Sequence, residues 1–294
     1  MSNAREAPAV PRIDAHQHFI DDTPEDYPWI DDRMQTLRRA YLPADLKPLL
    51  DDLSFDGCIA VQARQSSRET EWLLQLAEEH DWIRGVVGWV DLRSPDVRQQ
   101  LERYSRSAKL RGVRHVIHDE PDDDFILGED FNRGIALLHE FGLTYDLLVF
   151  EKHLPQTIRF VGQHPRQRFV VDHLAKPNVK AQAIDDWSRR IRTLAAHGNV
   201  YAKLSGLVTE ADWHGWREAE FTPYLDAAFE AFGPERLMIG SDWPVCTVSR
   251  DYRSVMNVVI RYLDRRCTPR ERERVLGGNA ARFYGIGQGE DRDG

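Results

Sequence analysis

Two histidines one residue apart, in Ile13-Asp14-Ala15-His16-Gln17-His18, are the first side chains in this chain that could do chemistry together. Along a strand the side-chain period is two, so His16 and His18 point to one face, about 7 Å apart along the chain. Two imidazoles so placed can share a divalent ion. A second polar pair, Asp172-His173, ends the apolar run Phe169-Val170-Val171. A third group, Asp242, follows Leu237-Met238-Ile239-Gly240-Ser241 and precedes Pro244. Taken singly, each has an ordinary explanation: packed histidines, a strand-end cap, a loop aspartate. Three such groups, each emerging from the end of a buried run, are hard to obtain from packing alone.

The elements that must position them alternate from end to end. Candidate strands cover 12–18, 58–62, 83–90, 112–117, 144–149, 168–172, 200–204 and 237–240. Stretches with helical spacing lie between them, such as 71–80, with Trp72, Leu73, Leu76 and Ala77 on one stripe, and 131–141, with Ile135, Leu138 and Phe141 in register. Ser94-Pro95 reads as an N-cap with proline at the first position of a helix over 96–104, and Gly142 as a C-cap. This alternation predicts parallel strands joined by crossover helices, and eight strands close a barrel. No GxGxxG or P-loop follows an early strand, which disfavours a doubly wound nucleotide-binding sheet. We therefore expect a single-domain α/β fold, a (β/α)8 TIM barrel over residues 12–286. Residues 1–11, opening with an expression-scar-like Met1-Ser2-Asn3-Ala4, and 287–294 read as disordered.

In such a barrel the active site lies at the C-terminal strand ends, where strands one and eight adjoin. That places His16, His18, His173 and Asp242 together. Gln62, Arg114, His118, Lys203 and Ser205 also fall at strand ends and are candidates for substrate hydroxyls or a developing charge. Asp91 and Asp146 are candidate cavity residues, and Trp29, Trp213 and Trp243 candidate walls. His115, on the opposite strand face from Arg114, is expected to pack against the helices. Arg114 could also pair with Asp119 or Glu120. Cys246 receives no role.

The phrases IDAHQHF, FVVDHLAKP, KLSGL and GSDWP, with VVGWVDL, LRGVRHVIHDEPD, YDLLV and LMIGSDWPV between them, resemble the amidohydrolase superfamily from about Arg12 to Tyr284. Within it they are similar to the sugar-lactonase branch typified by L-fuconolactonase and L-rhamnono-lactonase. The resemblance implies metal ligation by His16, His18, His173 and Asp242, and catalysis by Asp242, which handles the proton of the attacking water, and His173. Binuclear members carry a bridging Lys or Glu and a further His. Tyr145–Val149 and Tyr201–Ser205 supply neither, so at most one divalent ion is expected, zinc first among them, and some lactonases of this branch need none. Ile20 stands where many relatives have Trp.

The expected substrate is a small sugar lactone. The rivals are a 2-pyrone-4,6-dicarboxylate lactonase, whose doubly charged substrate needs more arginines than Arg114 and Arg64, and a metal-dependent decarboxylase of the same superfamily. A net charge of −9 and the acidic stretch 119–124 argue against nucleic acid. No apolar run approaches the ~18 residues of a membrane span. Three cysteines without a disulfide or CxxC pattern suggest a reducing, cytoplasmic setting. The oligomeric state is left open.

Overall fold

The computed structural model describes residues 10–21 and 26–287; positions 1–9 and 288–294 of the expected disordered ends lie outside them. Eight parallel strands follow one another in sheet order: β1 (Ile13–Gln17), β2 (Gly57–Val61), β3 (Ile83–Gly88), β4 (Leu110–Val116), β5 (Thr144–Leu148), β6 (Phe169–Val171), β7 (Val200–Leu204) and β8 (Leu237–Ile239). The helices α1 (Pro43–Asp52), α2 (Ser67–Glu79), α3 (Val97–Tyr104), α4 (Glu129–Leu138), α5 (Leu154–Gln163), α6 (Asp185–Ala195), α7 (Thr222–Phe232) and α8 (Tyr252–Arg266) form the outer layer. Two short helices, α9 (Pro269–Glu273) and α10 (Asn279–Tyr284), end the described chain. This is a single-domain (β/α)8 barrel, as the strand rhythm predicts. No helix among the described residues is long and apolar enough to cross a membrane.

The strands are short apolar runs because both faces are covered. One core lies between sheet and helices, where α4 buries Phe131, Ile135 and Leu138 and α6 buries Trp187, Ile191 and Leu194. A second core joins Ile13, Ala15, Ile59, Val61, Val87, Val170 and Met238 to Ala280, Phe283 and Tyr284 of α10. Helix α10 thus plugs the barrel opposite the end where the polar residues gather.

β8 is only three residues long, so residues beyond it complete the ring. Asp242 N–H donates to the His16 carbonyl at 2.8 Å, and His18 N–H donates to the Trp243 carbonyl at 2.6 Å. Ser241 N–H donates to Asp14 Oδ1 at 2.9 Å. A register irregularity between Asp14 and Gln17 accompanies this seam, a device that re-aims side chains near active sites.

Two expected helix starts move. Helix α3 begins at Val97, because Ser94 is spent on a turn: its hydroxyl accepts from Asp96 N–H at 3.1 Å and its carbonyl from Val97 N–H at 3.3 Å. Helix α2 begins at Ser67, four residues before the expected start at 71. Its first turn carries Glu69, whose carboxyl accepts from the Ala63 and Arg64 amides and so faces the loop after β2.

Candidate active site

The ends of β1, β6 and β8 bring three imidazoles and a carboxylate together. His16 Nε2 and His18 Nε2 are 3.2 Å apart, and Asp242 Oδ1 lies 3.4 Å from His18 Nε2 and 3.8 Å from the Nε2 atoms of His16 and His173. All four side chains are buried. His18 Nδ1 donates to the Val61 carbonyl at 2.8 Å, which turns its Nε2 toward Asp242. His173 Nδ1 pairs with Ser205 Oγ at 2.9 Å, so its Nε2 also faces inward. Burial holds the His16 and His173 imidazoles well below their ordinary pKa, hence neutral and fit for ligation. Burial works against the Asp242 charge, but the adjacent His173 and His18 outweigh it and hold the carboxyl below its usual range. Ring nitrogens converging on a carboxylate, with ligand atoms of His16, His18 and Asp242 all within 4.8 Å of one another, fit a divalent ion.

The loop carrying His173 has an unusual backbone. His173, Leu174, Ala175 and Lys176 all have positive φ, between 49° and 60°. Trp187 Nε1 holds the Leu174 carbonyl at 2.7 Å, and Lys176 N–H closes the turn onto the His173 carbonyl at 2.8 Å. Gly206 packs against His173 so closely that a Cβ would fall 2.4 Å from Nδ1.

Beneath the imidazoles lies a buried charged layer. Lys203 Nζ reaches Asp146 Oδ2 at 2.5 Å, Asp172 Oδ1 at 2.9 Å and His16 Nδ1 at 3.1 Å. Arg114 Nη1 reaches Asp172 Oδ2 at 3.0 Å and His16 Nε2 at 3.4 Å, while its Nη2 donates to the Gln62 carbonyl and, at 3.2 Å, to Gln62 Oε1. Tyr284 of the α10 plug donates to Asp146 Oδ2 at 2.9 Å. Burial pushes the Asp146 carboxyl up to about 6 against the pull of Lys203. Asp172 stays well below the ordinary range: burial opposes its charge, but Lys203, His16 and Arg114 together prevail. Asp172 Oδ2 thus pairs with Arg114 and Oδ1 lies beside Lys203, and a ligand atom of Asp172 also falls within 4.8 Å of those of His16 and His173, a second set that could hold an ion.

Above the cluster opens a cavity of about 390 Å³, within the size range of small-molecule sites. His18, Arg114, His118, His173 and Asp242 border it, as do Trp29 and Trp213. Gln62, Lys203 and Ser205, expected to hold substrate, do not line it; they bind Arg114, His16 and His173 one layer below. Period-two geometry gives a residue's face but not its depth. Trp243 is not a wall either, packing instead against Phe19 and Tyr41. Asp91 accepts from Arg93 N–H outside the cavity, and Asp146 sits below it. Arg64 pairs with Asp21 and Asp26 beside a neighbouring groove. Arg114 pairs with Asp172 rather than Asp119 or Glu120, because it points inward. His115 does pack outward, stacked on Phe125 and bonded to Glu120 at 2.7 Å. Sequence reasoning missed Lys176, which lines the cavity paired with Glu210 at 2.8 Å. Its place three residues after His173 in DHLAK was the available signal.

A family description, Amidohydrolase, matches residues 13–286. The chain belongs to the amidohydrolase family. This amidohydrolase is 44% identical over 290 residues to the L-fucono-1,5-lactonase of Burkholderia multivorans, covering 95% of this chain and 98% of that one. It is 37% identical to the L-fucono-1,5-lactonase of Burkholderia ambifaria, over 94% and 96% of the two chains. A zinc-bound crystal structure of a Burkholderia multivorans amidohydrolase superposes with a TM-score of 0.91 at 44% identity, over 94% of this chain and 99% of that one.

Proposed function

We propose that this amidohydrolase opens the ester ring of a small sugar lactone of the L-fucono- or L-rhamnono-lactone kind, by attack of a water deprotonated by Asp242. The observation that carries the reading is the buried, ionised Asp242 under a cavity whose cations are already paired: Arg114 to Asp172, Lys176 to Glu210, Arg33 to Asp31. Such a cavity suits a neutral, hydroxylated ring. A dicarboxylate would find no uncommitted cation among the described lining residues, which weighs against the 2-pyrone reading. The relatedness to L-fucono-1,5-lactonases points the same way.

The chemistry needs a nucleophile, a base and support for the oxyanion. Asp242 takes a proton from water as the oxygen attacks the carbonyl carbon, and returns it to the ring oxygen as the C–O bond breaks. Lactone and water thus become a hydroxy acid with no proton left over. His16, His18 and His173 surround the point where the carbonyl oxygen gains charge. A divalent ion, zinc by analogy with the structural relative, would be held by these three and Asp242 and would polarise the carbonyl and acidify the water. His118, stacked on Phe150 at 4.5 Å and pushed by burial down to about 3, is a neutral ring with no partner for Nδ1 among the described residues. It is placed to hydrogen-bond a substrate hydroxyl, as is Lys176.

A substrate panel tests this. Hydroxylated five- and six-carbon aldonolactones should be hydrolysed with kcat/KM at least ~10²-fold above γ-butyrolactone, since polar groups left unpaired penalise the bare ring. Equal values for both would remove the sugar assignment, and release of CO₂ from aromatic acids would replace it with decarboxylation.

A further inference from the structure

We propose that the groove beside the catalytic cavity is a second sugar subsite, so that the enzyme accepts an aldonolactone carrying a further neutral sugar unit on the hydroxyl farthest from the carbonyl. The inference rests on the lactone reading and extends it. The cavity over Asp242 measures about 390 Å³ and the groove about 630 Å³. Trp29, Ala63, Val116 and Asp119 border both, whereas His18, His173 and Asp242 border the cavity alone. A lactone must place its carbonyl carbon at Asp242, so only the far side of its ring can reach the shared border. In a six-membered lactone that far side is C4, and a substituent on the C4 oxygen is directed past Trp29 into the groove. A space larger than the catalytic cavity exceeds what a hydroxyl or methyl group needs and suits a whole sugar ring.

The chemistry of the groove matches a neutral sugar better than an apolar or anionic group. Its charged side chains, Asp26, Arg64, Arg68 and Asp119, balance one another. Arg64 is held in place, paired with Asp21 and Asp26 and lying over the Tyr27 ring at 4.9 Å. Glu69 accepts the amides of Ala63 and Arg64 and so fixes the loop after β2. The Trp29 indole N–H donates to the Ala63 carbonyl at 2.9 Å, which pins the ring as an aromatic wall common to both spaces. Uncommitted polar groups stand on this frame. Gln65 accepts Val116 N–H through Oε1 at 2.9 Å, so its Nε2 donors remain for a ligand. Ser66 occupies the N-cap position of α2, yet its hydroxyl caps no amide. Arg68 is exposed and has no hydrogen-bond or ion-pair partner among the described residues. These three border the groove and not the catalytic cavity. Fixed walls with a few free polar groups are what recognition of sugar hydroxyls requires.

The test compares the six-membered aldonolactone that the wild-type protein hydrolyses best with the same lactone bearing a β-glucosyl unit on O4. The glycosylated lactone should show kcat/KM about 10-fold or more above its parent, through a lower KM, because contacts remote from the reacting carbon add binding. Gln65→Glu/Arg68→Ala keeps the acceptor for Val116 N–H and removes the free donors. It should raise KM for the glycosylated lactone about 10-fold, the scale of two lost hydrogen bonds. The parent lactone's kcat and KM should stay within about 2-fold, which also reports that the variant is folded. Should the double variant fail to fold, Arg68→Ala alone is read the same way. A glycosylated lactone hydrolysed no better than its parent would overturn the proposal, as would a folded variant that affects both lactones alike or neither. No hydrolysis of any aldonolactone would remove the lactone reading itself, and the subsite with it.

Discussion

Asp242 occupies a backbone position with φ of 59°, where asparagine is among the non-glycine residues most at ease. Asp242→Asn should therefore keep the fold and its melting temperature while lowering kcat by ~10²-fold or more. Undiminished turnover in a folded Asn variant would remove the base assignment. Gly206 offers a sharper probe of geometry, since a Cβ there would meet His173 Nδ1 at 2.4 Å and the residue's φ is 63°. Gly206→Ala should reduce kcat/KM by ~10²-fold, the cost of about 1 Å of misplacement, while circular dichroism still shows the native barrel. Retained activity would mean His173 does not act from its present position. At this scale the sequence made His16, His18, His173 and Asp242 visible, because strand-end position and chemistry coincide in them. It concealed which polar strand-end residues touch the cavity: Lys203 and Ser205 stand at a strand end with the same polar chemistry as the cavity residues but lie a layer deeper.

The strands were legible within about two residues at each end because a doubly covered strand has almost no polar interior. The helix starts were less so. At α2 the apolar stripe begins at Trp72, but the helix is already under way with Glu69 turned back to the β2 loop. Burial raises the Glu69 carboxyl from 4.5 to about 8. The folded protein therefore keeps a proton that the unfolded chain loses between those values, and this group's contribution to stability falls as pH rises through that window. Glu69→Gln removes the effect, so wild type should lose ground to the variant from pH 5 to 8, by at most about 1.4 kcal/mol per pH unit. Parallel pH profiles of thermal stability for the two would show that Glu69 is ionised throughout.

For the molecule as a whole, eight strand–helix units were readable from rhythm, and closure into a barrel from their number. The manner of closure was not: the ring is completed by the amides of Asp242 and His18 beyond the short β8. Nor did the sequence reveal that α10 returns to the barrel and reaches the charged layer through Tyr284. Both depend on contacts between residues more than a hundred positions apart, which periodicity does not encode. They also make one connected body of plug, charged layer and histidine–aspartate cluster.

The loop from His173 to Lys176 winds against the natural handedness of L-residues for four consecutive positions, none of them glycine. At about 1–2 kcal/mol for each such residue, this stretch holds an energy of the same order as the stability of a typical domain, ~5–15 kcal/mol. Only the surrounding barrel keeps it wound. Heat that loosens the neighbours without melting the barrel should release this stretch first, and His173 with it. Catalysis is thus expected to fail at a lower temperature than structure, with half-inactivation several degrees below the midpoint seen by circular dichroism and reversible on cooling. Coincident midpoints would mean that the reversed winding is locked as firmly as the barrel itself.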